Sequence, residues 1–113
     1  MRYQDVVTML TEIEQTLGIP FTYYSYPIGQ APLLPFIVFL YPSSANMTAD
    51  NTIYQRVDNL TIELYTENKD FALEQSVESI LSKYIVWDKT EDYIDSEHMF
   101  MITYETEIYI NVE

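Results

Sequence analysis

The sequence predicts an α+β domain in which two helices pack on one face of a mainly antiparallel sheet, in the order α-β-β-β-α-β-β. Three observations carry this. Apolar residues recur at helical spacing in two separate stretches, one near the start and one after residue 70. Strict alternation of apolar and polar residues marks two long stretches, 54–66 and 99–112. The run "PFIVFLYP" at 35–42 is continuously apolar, rich in β-formers and too short for a typical helix. Helices that each need one apolar stripe covered, and strands that each need one face covered, satisfy one another as two layers.

The first helix is expected over about 3–17. Val6, Met9, Leu10, Ile13 and Leu17 form its apolar stripe, with Glu12, Glu14 and Gln15 on the other side. Gly18 supplies a left-handed C-cap and Pro20 forbids continuation. "PFTYYSYP" at 20–27 reads as a short aromatic strand, and "IGQAPLLP" as the loop to the buried strand at 35–42. The polar, turn-rich segment at about 43–53 is expected as a flexible loop.

The strand at 54–66 turns Leu60, Ile62 and Leu64 to one face and Thr61, Glu63 and Tyr65 to the other. Thr66 or Asn68 can cap the second helix, with Asp70 in its first turn. Leu73, Val77, Ile80, Leu81 and Tyr84 make the stripe of that helix, Glu74 and Glu78 are expected in solvent, and the helix ends near Lys83–Tyr84. A weaker strand within 85–94, a turn at "DSEH" and a long final strand at 99–112 complete the order. In that last strand Phe100, Ile102, Tyr104, Thr106, Ile108, Ile110 and Val112 share one face, and Met99, Met101, Thr103, Glu105, Glu107, Tyr109 and Asn111 the other. The 113 residues form a single domain, 1–113, with no visible linker or repeat.

Composition excludes several kinds of function. With 18 acidic against 5 basic residues, a net charge of -13 opposes binding to nucleic acid phosphates or to anionic lipid. No apolar run approaches the roughly 20 residues that span a bilayer, and the acids within the N-terminal apolar pattern are unlike a signal peptide. The absence of cysteine removes disulfides and thiolate metal sites and suits a reducing cytoplasm. The 11 tyrosines exceed what a small core uses, and tyrosine is enriched where proteins meet.

Chemical sites are weakly supported. His98 is the only histidine; Ser96 and Asp95 lie beside it in a turn that has no nucleophile-elbow glycines, so a triad is rejected. Glu91, Asp92, Asp95 and Glu97 read as a solvated acidic hairpin, because the spacing and glycine of a calcium loop are missing. Gly18 and Gly29 are the only glycines, which excludes glycine-loop nucleotide binding. No catalytic residue, cofactor or metal is therefore expected. Arg56 and Asp58 share a strand face and are expected to pair with each other or, for Arg56, with an acid on a neighbouring copy. Both share the parity of Leu60, so they either end that face at the rim of the sheet or are turned outward by a bulge. The candidate contact surface comprises Met47, Tyr54, Arg56, Asp58, Glu63, Tyr65, Met99 and Met101.

The element order, with "YQRVDNLTIELYTENKDFALE" and "YIDSEHMFMITYE", resembles the tail terminator or tail-completion proteins of long-tailed bacteriophages and related head-tail joining components. The resemblance implies a structural virion assembly protein without enzymatic activity. It would form a homo-oligomeric, hexameric ring that caps the tail tube and joins it to the head. Its partners would be copies of itself, the tail tube protein and the head connector. DNA would pass through the ring without specific binding, and the protein would move from the host cytoplasm into the virion. The family's basic subunit contacts have few counterparts among five bases, so tyrosines and methionines are expected at the ring interface. The alternative from charge alone is an acidic DNA mimic that inhibits a host nucleic-acid-binding protein.

Overall fold

A computed structural model of the chain describes residues 1–111; Val112, assigned above to the last strand, lies outside them. The elements run α1 (Tyr3–Leu17), β1 (Phe21–Tyr23), β2 (Phe36–Ser44), β3 (Met47–Ala49), β4 (Thr52–Thr66), α2 (Phe71–Leu81), β5 (Asp88–Ile94) and β6 (Met99–Ile110). The sheet order is β1-β2-β4-β6-β5, with β3 paired to β4 outside that path. All pairings are antiparallel except the short parallel β1–β2. The predicted two-layer α+β fold is the one observed, with one strand more than expected.

Both helices lie on one face. From α1, Val6, Met9, Leu10 and Ile13 meet Ile37, Leu60, Ile62 and Leu64 of the sheet; from α2, Val77, Ile80 and Leu81 join the same core. Leu60, Ile62 and Leu64 are fully buried, each a gain of about 1.5–3 kcal/mol relative to exposure. The alternation in 54–66 thus reports the helix face correctly. Gly18 caps α1 in the left-handed region at φ 73°, its N–H donating to the Glu14 carbonyl at 2.8 Å.

The departures from expectation have local causes. The segment at 43–53 holds β3 and a two-residue turn at Asp50–Asn51. Both have positive φ, 52° and 60°, and Ala49 pairs with Thr52 across the turn. This is the conformation of a tight hairpin turn, which suits the twist of the flanking strands and which Asp and Asn tolerate better than most residues. β1 stops at Tyr23 because Tyr24 turns the chain at φ 67°. β2 continues beyond Pro42, but its pairing with β4 shifts register between Leu40 and Ser43, where a proline without an N–H is tolerated. Asp70, not Thr66 or Asn68, caps α2: its Oδ1 accepts from the Leu73 N–H at 3.0 Å, while Thr66 is buried in β4. α2 ends at Leu81 and continues as a turn through Tyr84.

Glu74 is the largest departure. Expected in solvent, it is only 1% exposed. Glu78 is also partly covered, with 17% of its side chain exposed.

Candidate interaction surfaces

The β4–β6 register is regular from Arg56↔Ile110 to Thr66↔Phe100, so no bulge in that pairing turns Arg56 and Asp58 away from the Leu60 face. They sit at its rim, beside the start of α1. The Tyr3 hydroxyl donates to Asp58 Oδ2 at 2.6 Å, and Arg56 Nη2 donates to the same hydroxyl at 3.2 Å. The expected Arg56–Asp58 pairing is therefore relayed through a tyrosine. The bond to Asp58, then burial, raise the Tyr3 hydroxyl above its usual pKa, because ionisation would place two negative charges together. Asp58 is buried and Arg56 exposed.

The other candidate residues divide between two places. Met47 and Tyr54, 40% and 67% exposed, lie on a β3–β4 arm that runs past the end of β6. Ile53, at 52% exposed and absent from the expected set, joins them there. The long axis of the molecule is 49 Å against 28 and 24 Å for the others. Glu63, Tyr65, Met99 and Met101 lie on the sheet face opposite the helices. Tyr65 is directly across from Met101 and stacks near Phe36 at 5.2 Å, while its hydroxyl donates to Glu63 Oε1 at 3.0 Å. Burial and the Glu63 carboxylate push the Tyr65 hydroxyl well above its usual range. The eight residues thus form a rim knot, an arm and an open-face patch, and do not converge on one site.

Register assigns the charges to faces. On the open face the cross-strand rows are Phe36–Tyr65–Met101–Asp92, Val38–Glu63–Thr103–Thr90 and Leu40–Thr61–Glu105–Asp88, with Asn59 opposite Glu107 beyond them. These rows hold five carboxylates, and among the described residues all five bases of the chain lie on the helix side or its rim. Arg56 and Lys89 have helix-face parity. Lys69 contacts Glu74, Lys83 pairs with Glu12 on α1, and Arg2 lies 3.5 Å from Asp5 in α1. Asp88 stands directly opposite Glu105, a like-charge placement that opposes sheet pairing. Pro42, Asn59, Thr61, Asp88, Glu105 and Glu107 line an open hollow of about 480 Å³ there.

On the helix face a ladder of alternating charge joins α2 to β5. Lys69 Nζ bonds Glu74 Oε2 at 2.6 Å and also reaches Glu91. Lys89 Nζ lies 2.8 Å from both Glu74 Oε1 and Glu78 Oε2, and the Tyr104 hydroxyl donates to Glu78 Oε2 at 2.6 Å. Burial pushes the Glu74 carboxyl up, but the hydrogen bond from Lys69 and the ammonium of Lys89 beside it outweigh burial and hold the group below the usual glutamate range. Each charge in this ladder faces an opposite partner, which makes it an internal brace with no free acid–base pair for a substrate. Sequence periodicity missed it because Glu74 lies next to the stripe, where only the placement of Lys69 and Lys89 decides burial. Among the described residues, no group of three or more His, Cys, Asp or Glu could hold a metal ion, and no helix is long and apolar enough to cross a membrane.

No family model and no curated protein matches the chain. Its fold is similar to that of a chain in the solved structure "Virion of native gene transfer agent (GTA) particle". The match has a TM-score of 0.69 at 14% identity and covers 93% of this chain and 90% of that one, which makes the likeness one of fold.

Proposed function

We propose that this protein is a structural component of a phage-like virion, of the tail terminator kind, forming a ring that caps the tail tube and joins it to the head. The observation that carries this reading is the near end-to-end fold likeness to a chain of a gene transfer agent virion. The charge distribution supports it. Open-face carboxylates outside the hollow, Glu63 and Asp92, would repel the phosphates of DNA passing through a ring, where a basic lumen would hold them. The ring is taken as a hexamer, with the tail tube protein and the head connector as partners. The chain folds as one unit, its 43–53 segment ordering further on assembly, and it enters the virion from the host cytoplasm. No catalytic step is assigned to it.

Electron microscopy of purified protein mixed with tail tubes tests the proposal. Rings at tube ends are expected; protein that neither forms rings nor associates with tubes would end it. The acid-only face also favours a second reading, a DNA mimic. That reading predicts competition with duplex DNA for a host nucleic-acid-binding protein, and failure to compete retires it.

A further inference from the structure

The β3–β4 arm and the open-face hollow are complementary features of the same chain. The arm carries Met47, Ile53 and Tyr54 in the open, with Asp50 at its tip and the exposed Arg56 at its root. Tyrosine, methionine and arginine are residue types enriched at protein interfaces. The hollow presents Asp88, Glu105 and Glu107 without a base on its face, with Pro42 in its lining and the half-buried Leu40 across from Thr61 at its edge. Two open faces are a poor match for one another, because each would bring its acids against the other's. The helix layer already covers the opposite face. An exposed arm with a cation at its root suits the acidic hollow in charge, and its exposed Ile53 and Tyr54 can cover Pro42 and Leu40 at the hollow's edge.

We propose that the arm of one copy docks in the acidic hollow of a second copy, with Tyr54 and Ile53 seated against the sheet and Arg56 facing Glu105 and Glu107. This inference rests on the self-assembly part of the proposed function and names the two surfaces that make the contact. Arm and hollow are different patches, so one-way docking repeats from copy to copy and closes a ring when the rotation allows.

The chain contains no cysteine, which permits a direct test. A Tyr54→Cys chain is mixed with a Glu105→Cys chain under mild oxidation, and mass spectrometry reads the disulfide between them. A cross-link between the two variants is expected, and its absence overturns the proposal. Native mass spectrometry at low ionic strength supplies a second measurement. Ile53→Ser with Tyr54→Ser should weaken association by about 100-fold, and Arg56→Glu by about 10-fold, with Glu105→Arg restoring the latter. Both arm changes lie on exposed positions, and circular dichroism checks that each variant folds. Assembly of the arm variants at wild-type affinity overturns the docking while leaving the ring intact. In a single chain carrying both Tyr54→Cys and Glu105→Cys, cross-linking that stops at two copies keeps the docking and ends the ring. Wild-type protein monomeric up to about 1 mM ends both.

Discussion

The β1–β2 margin and the β5 margin of the sheet close the same core with different chemistry. Residues 15–49, which build β1, β2 and β3, contain no charged side chain, although the chain has 18 acids. All five prolines fall there, between 20 and 42. This margin is held by rings. Phe39 meets Tyr23 edge-on at 5.1 Å and Phe21 at 6.1 Å, and Tyr41 packs against Tyr3 at 5.2 Å, bringing α1 onto the sheet. The β5 margin has two ring contacts, Trp87 on Tyr104 at 5.4 Å and Tyr93 on Phe100 at 4.8 Å, and adds to them the Glu91–Lys69–Glu74–Lys89–Glu78 ladder that the other margin lacks. A chain with a large charge excess can keep one margin neutral only by concentrating its ions elsewhere. Two of the five bases, Lys69 and Lys89, neutralise acids of the second helix, the other three lie on the helix side or its rim, and the open face is left with acids alone.

The sharpest way to separate the two margins is to remove one support from each. Phe39→Ala should cost about 3–5 kcal/mol in urea unfolding, since it deletes a buried ring at the centre of the aromatic group. That loss should be nearly independent of salt. Glu74→Gln should cost about 3 kcal/mol, because Lys69 and Lys89 lose the carboxylate between them. Its cost should shrink modestly at about 1 M salt, because Lys69 and Lys89 are partly exposed while Glu74 itself is shielded from ions; equal salt responses for the two variants would dissolve the contrast.

The acid limb of stability sharpens the same point. Glu74 has a folded pKa below its unfolded value, so its contribution is present above the ordinary glutamate pKa and is lost as pH falls through the depressed one. Urea midpoints measured downward from pH 5 should therefore fall less steeply for Glu74→Gln than for wild type. Phe39→Ala should keep the wild-type slope. Tyr3→Phe, at the rim between the margins, should cost about 1–2 kcal/mol by leaving the buried Asp58 carboxylate without its donor. The smallest expected effect is Asp70→Ala, about 1 kcal/mol, from the lost cap on the Leu73 N–H. Thermal unfolding reads both.

The elements most legible in the sequence were those whose pattern is repeated many times. The stripe of α1, the Gly18 stop and the alternation of β4 and β6 each rest on several residues that agree, and their faces are the observed ones. The β3 hairpin was obscured because it is short, exposed on both strands and polar at its turn. Only the pair Asp50–Asn51, between the three residues of β3 and the exposed start of β4, signalled it. Of the candidate residues, Tyr54 and Met47 were recognisable by type, but their projection past the end of β6 follows from unequal strand lengths that only pairing reveals.

By itself the sequence determined the two-layer α+β class, the core faces of the long elements and the excess of acid, because periodicity and composition are local or summed properties. Tertiary structure decided where the charges went. The burial of Glu74, the relay from Arg56 through Tyr3 to Asp58, and the acid-only open face each depend on which segments the topology brings together. Lys69 and Glu91 are far apart in the chain yet share one ladder. Electrostatic energy depends on distance in space and on desolvation, and neither quantity is written in the order of residues.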